Sequence, residues 1–171
     1  MPDRIKLIKG DITVLGADAI VNAANHRLLG GGGVDGAIHR AAGPALLEAC
    51  RLLHGCETGD AKITQGFQLP ANFVIHTVGP VWTGGIKNEA GLLEQCYLNS
   101  LRLARDHQLK TLAFPNISTG VYGFPKALAA EIAIHTVRSF TGQFTVPEQV
   151  IFVVFDEENR FLYKRLLANL E

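Results

Sequence analysis

Strand-like and helix-like segments alternate along this chain, and the alternation limits the folds that it can adopt. Residues 149–155 (QVIFVVF) are almost wholly apolar, which is typical of a central strand covered on both faces. Leu93, Tyr97 and Leu101 recur at helical spacing and would form the buried stripe of a long helix. The alternation therefore predicts an α/β fold, a three-layer α/β/α sandwich with a central mixed sheet.

The predicted elements are separated by short turns rich in glycine and proline, without an internal repeat or a linker. Strands are predicted at residues 4–9, 19–22, 62–68, 73–78, 111–114 and 149–155. Helices are predicted at residues 34–42, 44–54, 89–107, 125–140 and 157–169. Because 171 residues suffice for one core but are short for two, we expect a single domain over residues 1–171.

The composition narrows the classes of function. Lysine plus arginine number 16 and aspartate plus glutamate number 16, so no net charge attracts a polyanion over long range. A basic stripe with interleaved aromatic residues is also missing, which argues against a nucleic-acid partner.

The sequence also carries signals of location. The N-terminus does not resemble a secretory signal, and no apolar run approaches the length of about 18 residues that spans a bilayer. Three cysteines without a Cys-x-x-Cys pair are typical of reduced, buried thiols. We therefore expect a cytoplasmic protein that has no membrane partner and no structural zinc.

The most unusual stretch is a run of four glycines at residues 30–33, directly before a predicted helix. Glycine loses more backbone entropy on folding than other residues, so such a run needs a reason. Bare N–H groups at the positive end of a helix form an anion site without basic side chains. The polar string at 22–25 (NAAN) precedes the run, and its position favours phosphate binding over a flexible surface loop.

Two nucleotide motifs explain the glycines less well. Gly31, Gly33 and Gly36 satisfy Gly-x-Gly-x-x-Gly, but residues 23–29 separate them from the predicted strand, and Glu57 lies in a turn instead of at a strand end. A Walker-type loop needs Gly-Lys-Ser or Gly-Lys-Thr, which the sequence lacks.

A second loop, 115–125 (PNISTGVYGFP), also follows a predicted strand and leads into a helix. Its small and hydroxyl-bearing residues suit the same task as the glycine run. Two such loops at strand ends of one sheet could face each other across a crevice and hold a diphosphate. The expected ligand is a nucleotide bound by neutral groups.

Five segments in this order resemble the macrodomains, in particular the MacroD-type ADP-ribose hydrolases that include bacterial O-acetyl-ADP-ribose deacetylases. The resemblance extends from about residue 5 to residue 155 and implies a single macrodomain. The segments are 10–13 (GDIT), 18–25 (DAIVNAAN), 30–39 (GGGGVDGAIH), 75–80 (IHTVGP) and 118–123 (STGVYG).

The resemblance implies an ADP-ribose site. Asp11 would accept the adenine amino group, and Phe155 would stack on the adenine, with core packing as its alternative role. Asn25 and Asp35 match the positions that the family uses for chemistry, and Asn22 matches such a position too. The implied substrate contacts are Asp11, Ile12, Asn25, Gly31, Gly32, Gly33, Val34, Ser118, Thr119, Gly120, Val121, Tyr122 and Phe155.

The implied substrate is an ester of a ribose hydroxyl of ADP-ribose with acetate or with an Asp or Glu side chain. Water would attack the acyl carbon while Asn25 orients the ribose. A carboxylate with an ordinary pKa of about 3.9 is a weak base. Either apolar neighbours such as Val34 and Ile38 make Asp35 a stronger base, or a substrate phosphate shares the activation of water.

Several neighbouring residues admit other roles. We expect the Asn22 side chain to bond to nearby backbone and His76 to be a core histidine, while His39 could brace Asp35. Ser118 is the nucleophile of a rival mechanism, but no Gly-x-Ser-x-Gly elbow surrounds it, because Asn116 takes the first glycine position. Many relatives carry alanine in place of Asn116.

We expect no metal, because the histidines lack ligand spacing, and no cofactor. The expected partners are ADP-ribose derivatives and mono-ADP-ribosylated proteins, and the chain is expected to be a monomer. The main alternative function is a module that binds ADP-ribose without chemistry.

Overall fold

The computed structural model describes residues 4–169, and its elements alternate as the sequence predicts. The predicted domain also includes residues 1–3 and 170–171, which lie outside the described residues. The strands are β1 Ile5–Lys9, β2 Ala19–Ala24, β3 Ala61–Gln65, β4 Phe73–Val78, β5 Thr111–Phe114 and β6 Gln149–Val154. The helices are α1 Gly33–Ala42, α2 Pro44–Arg51, α3 Glu89–Asp106, α4 Lys126–Gln143 and α5 Glu157–Ala168.

The strands form one sheet in the order β1-β6-β5-β2-β4-β3. All neighbours are parallel except β3 and β4, which pair antiparallel, so the sheet is mixed. Because β1, β6, β5 and β2 are parallel neighbours, their carboxyl ends meet at one edge of the sheet.

Each face of the sheet packs against helices, and β6 shows how. Its Val150, Phe152 and Val154 belong to a core shared with α3, α4 and α5, whereas Ile151 and Val153 belong to a second core shared with α1 and α2. The predicted apolar strand is therefore covered on both sides, and the three-layer α/β/α prediction is confirmed. Leu93, Tyr97 and Leu101 are fully buried, as their spacing predicts.

Some element boundaries differ from the prediction, in both directions. The strand predicted at 19–22 continues to Ala24 and the helix predicted at 125–140 continues to Gln143, whereas two other elements end early. The strand predicted at 62–68 ends at Gln65, because the Gly66 N–H bonds to the Asn72 carbonyl and closes a turn. The helix predicted at 44–54 ends at Arg51. The short 3₁₀ turn at Ile12–Val14 was not predicted, because three residues are too few for a periodic pattern.

No helix among residues 4–169 combines the length and the apolar character needed to cross a membrane.

Candidate functional site

A cleft of about 840 Å³ opens where β1, β2, β5 and β6 end. Every residue predicted for catalysis or substrate binding lines this cleft. The crevice predicted between the two loops is thus present, because parallel strands deliver their following loops to one edge of the sheet.

The glycine loop presents bare backbone to the cleft. Positions on Gly32 and Gly33 where a β-carbon would stand have no atom within 4 Å, so these residues border open space. Gly32 precedes α1 and provides no side-chain cap, which leaves the N–H groups of the first helical turn available to a ligand.

The same loop packs tightly against α1. A β-carbon on Gly36 would lie 2.5 Å from the Gly31 carbonyl oxygen. A β-carbon on Gly31 would lie 3.0 Å from Asp35 Oδ2 and 3.3 Å from Asn25 Nδ2. Gly31 therefore lies between the two side chains predicted for chemistry and leaves space beside both.

The second loop turns back on itself opposite the glycines. The Phe124 N–H donates to the Ser118 carbonyl (2.9 Å) and the Gly123 N–H to the Gly120 carbonyl (3.0 Å). Ser118 is buried with a φ of 66°, and a β-carbon on Gly79 would lie 2.1 Å from its Oγ. Within residues 4–169, Ser118 Oγ has no hydrogen-bond partner, so no histidine base contacts it.

Asp35 is buried, with 4% of its surface exposed. Its Oδ1 accepts a hydrogen bond from Asn22 Nδ2 at 2.8 Å and lies 3.4 Å from His39 Nε2. Its Oδ2 lies on the side of Gly31. Asn22 thus fixes Oδ1 by a hydrogen bond, while Oδ2 borders the glycine loop.

The expectation that Asn22 bonds to nearby backbone is wrong. Its Nδ2 donates to Asp35 and lies 3.1 Å from His76 Nδ1, both of which belong to other elements. Sequence spacing could not show this, because His76 and Asn22 are paired residues on neighbouring strands.

Asn25 supports the start of the glycine loop. Its Nδ2 donates to the Gly30 carbonyl at 3.0 Å, and its Oδ1 accepts from the Leu28 N–H at 3.2 Å. The side chain is half-buried and lines the cleft.

The opposite end of the cleft contains Asp11 and Phe155. The Thr13 hydroxyl and N–H both donate to Asp11 Oδ1, at 2.7 Å and 2.9 Å, and these bonds lower the pKa of Asp11. Phe155 is 82% exposed, so it is not a core residue. A carboxylate acceptor and an exposed ring on one cleft suit a flat base that carries an amino group.

Several further cleft residues were missed from the sequence. Two are cations, Arg40 and Lys126, and Lys126 Nζ donates to Glu158 at 2.7 Å. Asp156 and Asn159 border the cleft at the start of α5, where Asn159 N donates to Asp156 Oδ1 at 2.8 Å. Arg40 lies within α1, Lys126 and Asn159 lie in the first turns of α4 and α5, and Asp156 is the N-cap of α5. The sequence pattern alone does not show that these helix positions face the cleft.

Within residues 4–169, no three or more His, Cys, Asp or Glu side chains are grouped so as to hold a metal ion. All the cysteines are free and buried. The absence of a metal and of a cofactor stays a prediction.

Comparisons with known proteins agree with this geometry. The family profile described as Macro domain matches residues 21–133. An O-acetyl-ADP-ribose deacetylase of Escherichia coli is 60% identical over 98% of this chain and 97% of its own length. A mutant macrodomain of Oceanobacillus iheyensis, solved with ADPR, is 46% identical with a TM-score of 0.92 over 96% of this chain and 91% of that one. The Trypanosoma brucei macrodomain in complex with ADP-ribose is 44% identical with a TM-score of 0.91, over 96% of this chain and 69% of that one.

Proposed function

Because this chain belongs to the Macro domain family, we propose that it binds ADP-ribose and hydrolyses acyl esters of ADP-ribose. The observation that carries the proposal is the position of Asp35. A buried carboxylate, hydrogen-bonded by Asn22 through one oxygen, borders a loop of bare glycine backbone with the other. The backbone N–H groups of the glycine loop form an anion-binding site, which we call the anion cradle. The site thus combines this cradle with a group that can orient water.

The binding mode follows from the two loops. The diphosphate would lie between the N–H groups at the start of α1 and the turn at residues 118–122. Asp11 would accept the adenine amino group, and Phe155 would stack on the ring. This arrangement directs the distal ribose toward Asn25 and Asp35. The named activity of the Escherichia coli relative and the ADP-ribose ligands of the similar structures support this substrate class.

The proposed reaction is ester hydrolysis by water. The water oxygen attacks the acyl carbon, the bond from that carbon to the ribose oxygen breaks, and the ribose oxygen leaves with a proton. The products are ADP-ribose and a carboxylic acid, which loses its own proton at neutral pH. Asp35 orients the water, Asn25 orients the ribose, and loop N–H groups stabilise the developing oxyanion.

The test is turnover of O-acetyl-ADP-ribose, followed as released ADP-ribose. We expect Asp35→Ala to reduce kcat by about 100-fold or more, since the loss of a group that positions the attacking water can cost that much. Its affinity for ADP-ribose, measured by calorimetry, should change little. Glu48→Ala, which removes an exposed carboxylate of α2 that pairs with Arg51, is the matched control and should behave as wild type.

Full turnover by Asp35→Ala would overturn the role of this carboxylate. Binding of ADP-ribose without any turnover by the wild-type protein would favour the alternative function, a module that recognises ADP-ribose and performs no chemistry. An acyl group attached to Ser118, detected by mass spectrometry during turnover, would favour the nucleophilic serine instead.

The proposal extends to partners and location. Mono-ADP-ribosyl esters on Asp or Glu side chains have the same chemistry as the acetyl ester, so we include mono-ADP-ribosylated proteins among the substrates. The free, buried cysteines agree with a cytoplasmic location. We expect a monomer, which light scattering on the purified protein would test.

A further inference from the structure

A buried polar chain extends from Asp35 into the sheet, away from the cleft. Asn22 on β2 contacts His76 on β4, with 3.1 Å between Asn22 Nδ2 and His76 Nδ1. His76 Nε2 lies 2.9 Å from the hydroxyl of Thr64 on β3. Asn22 and His76 are fully buried and Thr64 is 9% exposed, so these groups must find their hydrogen bonds within the protein. Cys50 Sγ also lies near His76 Nε2, at 3.7 Å, and is the more distant and weaker partner.

The proton positions in this row of hydrogen-bonded side chains, from Asp35 to Thr64, can be assigned by elimination. An amide nitrogen can only donate, so Asn22 Nδ2 donates to Asp35 Oδ1 and to His76 Nδ1. His76 Nδ1 must then be the unprotonated nitrogen, and Nε2 carries the proton. The Thr64 hydroxyl can accept from Nε2, because it donates its own proton to the Gln65 carbonyl at 3.1 Å.

Two alternatives, a turned Asn22 amide and a proton on His76 Nδ1 opposite the unturned amide, each place like groups against each other. With the Asn22 amide turned over, Oδ1 would face the Asp35 carboxylate, placing two acceptors against each other. A proton on His76 Nδ1 would likewise oppose the Asn22 NH₂ group. Burial, together with nearby His39, lowers the pKa of His76 to about 3, so the imidazole remains neutral and donates through only one nitrogen.

We propose that His76 is a positioning residue, held by Thr64 in the tautomer with hydrogen on Nε2, that fixes the Asn22 amide and through it the Asp35 carboxylate. This role rests on the proposed hydrolase function. Asn22 Oδ1 has no hydrogen-bond partner among the described residues, so the amide is oriented only through its donating side. A change at Thr64, three hydrogen bonds away from Asp35, should therefore reach the reaction.

The first test removes the acceptor without touching the cleft. Thr64→Val has nearly the same shape but cannot accept from Nε2–H, so among residues 4–169 that nitrogen keeps only the weaker acceptor Cys50 Sγ and the ring is held less firmly. We expect kcat for O-acetyl-ADP-ribose to fall about tenfold or more, while KM and ADP-ribose affinity stay within about twofold. Thr64→Ser keeps the hydroxyl and should recover most of kcat.

Thr136→Val is the matched control, since it removes a buried hydroxyl that donates to the Ile132 carbonyl in α4. It should lower stability without lowering kcat. Equal kcat values for Thr64→Val and Thr136→Val would overturn the proposal.

The second test does not depend on turnover or on a variant that folds. Nitrogen NMR of the histidine side chains in the wild-type protein should show Nε2 protonated and Nδ1 unprotonated for His76. A proton on Nδ1 would overturn the assignment. If the proposed hydrolase function is wrong, the wild-type protein will be inactive although His76 has the expected tautomer.

Discussion

Single residues of the site are held by different kinds of partner. Asp35 is fixed by a side chain, Asn22, whose own orientation depends on His76. Asn25 is fixed by the backbone at Gly30 and Leu28, which belong to the loop that it helps to shape. Substitutions at Asn25 are therefore expected to disturb binding and chemistry together, whereas those at Asp35 should separate them.

Phe155 offers a prediction at this scale. Stacking of a base on an aromatic ring contributes roughly 1–3 kcal/mol by alanine substitution. Phe155→Ala should therefore weaken ADP-ribose binding by about 5- to 150-fold in calorimetry. Because the ring is 82% exposed, the melting temperature should hardly change.

Phe161→Ala is the control for Phe155→Ala. Phe161 is 63% exposed on α5 and is not among the residues that line the cleft. Unchanged affinity in Phe155→Ala, or an equal loss in both variants, would remove the stacking role.

At the scale of elements, the site depends on how closely α1 approaches the loop before it. The Gly36 N–H donates to the Gly32 carbonyl at 3.1 Å, and the Gly31 carbonyl occupies the space that a β-carbon at Gly36 would need. The shape of the anion cradle is therefore set partly by a helical glycine outside the run.

Gly36→Ala tests this packing. The added methyl must displace the Gly31 carbonyl and with it the N–H groups that face the cleft, so we expect ADP-ribose affinity to fall at least about tenfold. Gly142→Ala makes the same change near the end of α4, where no atom lies within 4 Å of the added carbon. This control should be neutral or stabilising by up to about 1 kcal/mol. Wild-type affinity in Gly36→Ala would show that the contact does not shape the loop.

For the whole molecule, buried titratable groups make stability sensitive to acid. The pKa of His76 falls from 6.5 to about 3 on folding. Between these values only the unfolded state binds the proton, so acid favours unfolding and stability is restored above about pH 6.5.

Burial alone would raise the pKa of Glu89, but hydrogen bonds from Thr83, Gly85 and Lys87 lower it from 4.5 to about 2. Stability from Glu89 is therefore present above pH 4.5 and lost toward pH 2.

We expect the free energy of unfolding to decrease as pH falls from 6.5 to 4, with His76 contributing up to about 1.4 kcal/mol per pH unit. Urea denaturation at intervals of half a pH unit measures this dependence. His76→Gln, which cannot titrate, should show a shallower slope. A slope identical to that of the wild type would mean that other groups account for the acid sensitivity.

Local pattern was enough to predict the alternation of elements, the doubly covered β6 strand and both cleft loops. An uninterrupted apolar run, as at 149–155, indicates a strand that is buried on both faces. The spacing of Leu93, Tyr97 and Leu101 indicates one buried helix face, because residues at this spacing lie on the same side of a helix. Small residues before helices likewise indicate a phosphate site, since the required N–H groups are local. The residues of the two loops lie on the cleft for this reason, whereas Asp11, Asn25 and Phe155, which also line it, were named from the family resemblance.

Tertiary structure alone decided which side chains meet. Asn22, His76 and Thr64 lie on different strands, and their register determines that Asn22 faces Asp35 and His76 instead of nearby backbone. Only its exposure directly after β6 excluded core packing for Phe155, and its stacking on a base stays a proposal. A sequence lists hydrogen-bonding groups, but buried groups choose partners by distance across the fold, which only the packed sheet defines.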